Sequence, residues 1–469
     1  MSKSLSHKRR DTSYVLRHSF KFLTCLFFLA TRVLAQDASV ATLRKLLKMA
    51  ETNYPLLKAK AASVSAAQKG IESSRSTFIP SLEAAYQVNY ATYNNLAGMS
   101  FAQYIAPISG PTSTANNWNG VYGSTASLLM NWEPYTFGQR EAQINYATAG
   151  LQFANADNQN EIFQQQLNVI NAYLDVLTSQ ELMKVYANNL VRTQANLTTT
   201  TALVQSGIRP SVDTALFDAE YAQAKVDLLN AGNNQHQAEI TLAQLIASDT
   251  TIHVSEDTSY FATIPVLPSS SDSIQNPLIS LYTSSISLSE ARKNIFAKTE
   301  MPTLDIWGVT YARGSGISPD GDVNAVNGLN FQRYNYGVGL QLSVPVLQFA
   351  RIDPQLEEED FTIQSQREEL NEVSLRLRKQ NEIADSGFAN AVAISKESPL
   401  FYQSAAYSYR ALLSRYQSGL ANFADLQSAQ YSLVKAETDS KLAFMSVWKA
   451  LLNKATVNGD VNVFLNQAN

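Results

Sequence analysis

Apolar residues recur along this chain with two periods. In four short stretches the period is two. Leu82, Ala84, Tyr86, Val88 and Tyr90 alternate with Glu83, Gln87 and Asn89, and Tyr122, Ala126, Leu128, Met130 and Trp132 alternate with Gly123, Thr125, Ser127 and Asn131. Tyr336, Val338, Leu340, Leu342 and Val344 alternate with Gly337, Gly339, Gln341 and Ser343. The stretch from Thr303 to Arg313 is less regular, because Trp307, Val309 and Tyr311 fall on a face that begins with Asp305. This alternation predicts strands at about 81–93, 121–133, 303–313 and 335–347, each with one apolar face, as in a soluble sandwich or a membrane barrel.

Elsewhere the period is helical. Phe163, Leu167, Ile170, Leu174 and Leu177 follow the 4-3 spacing of a heptad seam. From Phe137 to Gly207 there is no proline. About 65 helical residues at 1.5 Å each would reach roughly 100 Å, too long for a compact domain. The pattern predicts long helical hairpins over 137–247 and 353–457, with Pro399 expected to kink or break the second. Shorter helices precede the strands, with Val64, Ala67 and Ile71 on one apolar face and Leu288, Ala291 and Ile295 on the other.

The two sets of elements are copies of one plan. Asn53-Tyr54-Pro55 is echoed by Asn276-Pro277, and Pro80-Ser81-Leu82 by Pro302-Thr303-Leu304, with the prolines of both pairs at an offset of 222. Leu128, Met130, Trp132 and Phe137 match Leu340, Leu342, Val344 and Phe349 at an offset of 212. Gln205-Ser206-Gly207-Ile208 matches Gln417-Ser418-Gly419-Leu420, and Asp213 matches Asp425, at the same 212. Ordered markers at two constant offsets indicate duplication, with one loop ten residues longer in the first copy. The repeats are expected at 36–269 and 270–469. Two strands per repeat give four per chain, too few to close a barrel. Two chains would make eight strands, whose interior side chains just fill, so a conducting pore needs at least three chains and twelve strands.

The first residues change the compartment. A basic region (Lys8, Arg9, Arg10, Arg17, Lys21) precedes the apolar run Phe22–Ala30, and Val33-Leu34-Ala35 fits a small-residue cleavage site. That order predicts a secretory signal peptide at 1–35. Cys25, the single cysteine, lies inside it, so the mature chain would have no thiol for a disulfide, an Fe–S cluster or a nucleophile. Losing 35 residues removes seven of 36 basic and one of 40 acidic side chains, leaving a net charge of −10. That sign disfavours nucleic acid as a partner. Only His236 and His253 would remain for metal or acid–base chemistry, and no cofactor or metal site is expected. Beyond the first residues no apolar stretch is long enough for a helical membrane span. The acidic run Glu357-Glu358-Glu359-Asp360 reads as a solvated helix start, not as a catalytic set, and no enzyme is expected.

The motifs Asn53-Tyr54-Pro55, Pro80-Ser81-Leu82, Trp132–Arg140, Val344-Pro345 and the Gly207 and Gly419 turns, in this order, resemble the TolC-like outer membrane efflux protein family. The resemblance covers nearly all of the mature chain. It implies an α+β membrane protein: a homotrimer with a 12-stranded outer-membrane β-barrel, four strands per chain, continuous with a long periplasmic α-helical coiled-coil tunnel. It implies the outer membrane of a Gram-negative bacterium and contact with outer-membrane lipid. It also implies work as the exit duct of a tripartite efflux or type I secretion system, with a periplasmic adaptor (membrane fusion) protein and an inner-membrane pump of RND, ABC or MFS type. The adaptor-binding tip would be Ser206, Gly207, Ile208, Ser418, Gly419 and Leu420. The periplasmic gate would use Asp213, Asp425, Tyr416 and Arg209, with Arg209 or Tyr416 bonding Asp213 across a tip interface. Two positions depart from the family pattern: Ala421 stands where a basic gate residue is expected, and Ser428 at an inner acidic position. A secreted structural coiled-coil protein without a pore is the alternative reading.

Overall fold

The computed structural model describes residues 42–92, 94, 99–101, 104–106, 115–267, 275–318 and 323–468. The expected signal peptide at 1–35, with Cys25, lies outside the described residues.

Helices α1 (Leu43–Asn53) and α2 (Pro55–Ser76) lead into strand β1 (Ser81–Ala91). A small hairpin of β2 (Met99–Phe101) and β3 (Tyr104–Ala106) follows, then β4 (Val121–Tyr135). A helical hairpin of α3 (Gln139–Gln205) and α4 (Val212–Leu245) completes the first half. The second half repeats the plan with α5 (Pro277–Lys298), β5 (Thr303–Ser315), β6 (Arg333–Ser343), α6 (Phe349–Gln417) and α7 (Phe423–Asn458). A short α8 (Asn462–Leu465) follows. Helices α2 and α5 match at both ends at the 222 offset, and α3 and α6 end together at the 212 offset.

The long helices start and stop where local chemistry requires it. Pro277 sits in the first turn of α5, where its missing N–H is no loss. Before it, the Asn276 side chain accepts from Leu278 N (3.0 Å) and donates to Thr456 O (2.9 Å), so one residue caps α5 and ties it to the end of α7. Helices α3 and α6 both end in a glycine at positive φ, +70° at Gly207 and +78° at Gly419. Ile208 N bonds Leu203 O while Gly207 N bonds Val204 O, and Leu420 N bonds Arg415 O while Gly419 N bonds Tyr416 O. This paired closure satisfies carbonyls left over by the last turn and needs a residue tolerant of the left-handed region.

Of the kink or break expected at Pro399, the break does not occur: helix α6 runs on past both Pro354 and Pro399. Pro399 has no N–H to give the Ser395 carbonyl four residues back. The Ser398 hydroxyl donates to that carbonyl instead, at 3.3 Å in a buried position.

The strands form one antiparallel sheet in the order β1-β4-β5-β6, so the two repeats join at β4–β5 and the outer strands each pair on one side only. Register aligns Leu82 with Met130, Ile306 with Trp132, and Leu340 with Ile306. One face is therefore apolar from edge to edge, and it is uncovered: Leu82, Tyr336, Val338 and Leu340 are 67–88% exposed. The irregular pattern in β5 now has a cause. Trp307 lies on the opposite, polar face, over Gly339, where an added Cβ would come within 2.5 Å of the indole. Strand β6 runs 333–343, against the expected 335–347, and β4 runs two residues further than expected, through a register shift between Trp132 and Tyr135.

The main core lies midway along the helices. Phe163, Leu167, Ile170, Leu174 and Leu177 are all buried there, against Leu46 and Leu47 of α1 and Trp448 and Leu451 of α7. Among the described residues no helix is long and apolar enough to cross a membrane.

Candidate functional site

Both hairpins turn at the same end of the molecule, farthest from the sheet, so the two glycine turns and the residues after them form one tip. Ser206, Gly207, Ile208, Ser418, Gly419 and Leu420 are all exposed. Ile208 and Leu420 present apolar side chains 56% and 70% exposed.

Behind the turns a small apolar cluster of Phe217, Tyr409, Tyr416, Leu426, Ala429 and Leu433 joins α4, α6 and α7. Tyr416 sits in it at 1% exposure, edge-on to Phe217 at 5.7 Å. Its hydroxyl donates to Asp213 Oδ2 at 2.7 Å, linking the two repeats within one chain. Burial, then the hydrogen bond to Asp213, push the Tyr416 phenol up to about 12. Asp213 is buried at the first turn of α4, where the helix dipole also favours a carboxylate.

Arg209 does something other than pair with that carboxylate. Its guanidinium stacks on the Tyr416 ring at 3.9 Å, and Nη2 donates to the carbonyls of Tyr416 and Ala421, the latter at 2.6 Å. No ion pair joins Arg209 and Asp213 among the described residues. Arg209, the repeat equivalent of Ala421, thus reaches the Ala421 backbone from the other hairpin. Asp425, the repeat partner of Asp213, is exposed in the first turn of α7, where its backbone N–H donates to the capping Asn422 side chain. The two equivalent acids therefore differ: Asp213 is buried and bonded, and Asp425 faces solvent.

Above the tip lies a polar seam that the motifs did not single out. Asn196 Nδ2 donates to Tyr409 Oη (2.9 Å) and Gln430 Oε1 (3.0 Å), and Arg192 pairs with Glu437 at 3.1 Å. Asn189, Thr193, Asn196 and Thr200 are buried on α3 at 4-3-4 spacing. They continue the line of the apolar seam above them, and that spacing is the signal by which they could have been found. No group of three or more potential metal ligands assembles among the described residues.

Residues 46–248 match the profile of a family described as outer membrane efflux protein. No curated protein matches the chain by sequence. Among solved structures, the CmeC outer membrane channel of Campylobacter jejuni is similar at 13% identity and a TM-score of 0.71, over 90% of this chain and 87% of that one. The outer membrane protein VceC of Vibrio cholerae is similar at 15% identity and a TM-score of 0.70, over 91% of this chain and 98% of that one. CusC, whose structures describe folding and transmembrane channel formation, is similar at 13% identity and a TM-score of 0.73, over 89% and 92%.

Proposed function

We propose that this chain is the outer-membrane exit duct of an efflux or secretion system, open only as a trimer, because residues 46–248 match the outer membrane efflux protein family and the described chain has the fold of solved outer-membrane channels. One observation carries this reading. Among the described residues the four-stranded sheet has an uncovered apolar face and two unpaired edges, β1 and β6, and the long helical hairpins leave from one end of it. In water such a sheet would aggregate through its edges and its apolar face. In a bilayer that face meets lipid, and the edges close when β1 of one copy pairs with β6 of the next. Three copies give twelve strands, and the polar face then lines water.

Aromatic residues support the membrane placement. Phe78 and Trp132 pack edge-on at 5.8 Å at the helix end of the sheet, and Tyr90 and Tyr122 pack at 5.0 Å at the loop end. Barrels carry such girdles at both interfaces. The hairpins, about 100 Å long at 1.5 Å per residue, would form the periplasmic tunnel.

The tip is the proposed gate and docking end. Ile208 and Leu420 offer the exposed apolar contacts that a periplasmic adaptor hairpin would cover. The Tyr416–Asp213 bond and the Arg209 clamp on Ala421 would hold the two hairpins together in the closed state. The duct is passive and not an enzyme; energy would come from an inner-membrane pump reached through the adaptor.

The test is direct. Full-length protein expressed with its leader should fractionate with outer membranes as a heat-modifiable trimer and conduct ions in planar bilayers. A soluble monomer without conductance would leave the pore-free coiled-coil protein as the better reading.

A further inference from the structure

The polar face of the sheet carries charge that the duct reading leaves unused. Arg313 of β5 and Arg333 of β6 are direct cross-strand partners. Period two puts Arg313 on the face of Trp307, Val309 and Tyr311, and Arg333 on the face of Asn335, Gly337 and Gly339, opposite the uncovered apolar face. Both side chains are exposed. Directly opposed partners stand only about 4.5–5.5 Å apart at Cα, and like charges so placed oppose pairing. Arg333 Nη1 donates to the Gln332 carbonyl at 2.9 Å, and neither guanidinium has a carboxylate partner among the described residues. Two cations are held side by side, with no carboxylate paired to either among the described residues.

Their position along the strands is also informative. Arg313 is near the end of β5, and Arg333 opens β6, so both lie at the loop end, away from the helices. The carboxylates of this face lie at the other end. Glu83 is the third residue of β1 and Asp305 the third of β5, just after the helices. Among the described residues of the strands, the polar face therefore runs from acidic at the tunnel side to basic at the loop side.

We propose that Arg313 and Arg333 form an anion-attracting ring at the outer mouth of the duct, favouring small inorganic anions over cations in its permeation. This rests on the reading of the sheet as one third of a barrel wall, which would place two arginines from each of three chains around the mouth. Rings of arginine or lysine select anions in other pores by the same field, and a low-dielectric wall focuses it. Separation from the acids at the far end lets each ring act locally, since the screening length is about 8 Å at physiological ionic strength.

Reversal potentials of the full-length protein in planar bilayers under a potassium chloride gradient at low salt test this. Arg313→Gln combined with Arg333→Gln should lower the chloride-to-potassium permeability ratio by about twofold or more. Arg→Lys at both positions should keep it, and Glu83→Gln with Asp305→Asn should raise it. Each single Arg→Gln change should give part of the shift, so the test survives a double variant that fails to assemble. The difference between wild type and variant should shrink in about 1 M salt, where the screening length falls to about 3 Å. An unchanged ratio in conducting Arg→Gln variants, or an equal drop with lysine, overturns the arginine ring and leaves the duct standing. No conductance from wild type overturns the duct reading itself, and the ring with it.

Discussion

One phenol joins the two repeats at the turn end of the molecule. Tyr416 is the side-chain partner of Asp213, and both are buried. Tyr416→Phe keeps the ring among Phe217 and Leu426 but leaves a buried carboxylate without its donor, a loss of about 1–3 kcal/mol. If the tip is the gate, single-channel conductance rises in Tyr416→Phe, as it should in Arg209→Ala, which frees the carbonyls of Tyr416 and Ala421. The direction of the Tyr416 shift sets a pH window. A phenol raised from 10 to about 12 in the folded state contributes its stability in full below pH 10 and loses it as pH rises towards 12. Wild-type conductance should therefore gain an alkaline rise beginning above about pH 10, and Tyr416→Phe should lack it. The resemblance to the efflux family picks out Asp213, Tyr416 and Arg209 in the sequence as tip residues. It leaves open which of Tyr416 and Arg209 holds the carboxylate, because that depends on how α4 packs against α6. The Asn196–Tyr409–Gln430 seam went unread because its members are polar residues at seam spacing, which look like a solvated face until both hairpins are in place.

Helices and strands were legible to different degrees. The long hairpins follow from unbroken 4-3 spacing and from glycines at compatible turns, so their ends fall within a few residues of expectation. Helix α6 differs at Pro399, where the sequence rule describes a lost hydrogen bond but not its replacement. The Ser398 hydroxyl on the Ser395 carbonyl is the replacement, and it makes a testable pair. Ser398→Ala should lower the apparent melting temperature through a loss of about 1 kcal/mol. In a Pro399→Ala background, which restores the backbone N–H, the same change should have little effect. Circular dichroism melts of the four proteins would check the cycle, and equal losses in both backgrounds would remove the carbonyl as the cause. Strand β5 was the least legible element for a related reason. Its aromatic residues break alternation because glycines on the neighbouring strand make room for Trp307, a cross-strand effect that no single stretch of sequence records.

At the scale of the molecule, the duplication that is plain in sequence does not mark two independent units. The repeats share the sheet through β4–β5, and they share the main core. Leu46, Leu174 and Tyr260 come from the first repeat, Trp448, Leu451 and Phe464 from the second, and all are buried together. The heptad seam on α3 was legible as apolar; its partners on α1 and α7 were not, since long-range packing leaves no mark at a fixed spacing. Trp448 is the joint. Its ring packs on Tyr260 at 4.6 Å and on Phe464 at 5.8 Å, at 3% exposure. Trp448→Ala should remove about 3–5 kcal/mol through lost burial and the cavity left behind. A wall segment that cannot hold its two halves together cannot present β1 and β6 at the spacing that closure by neighbouring copies demands. In the proposed trimer the loss should therefore appear as a large fall in the temperature at which the heat-modifiable oligomer dissociates on gels. Trp118→Ala, at a position 80% exposed outside this core, should leave that temperature unchanged. Equal behaviour of the two variants would mean that assembly depends on the sheet alone and that the shared helical core adds nothing to it.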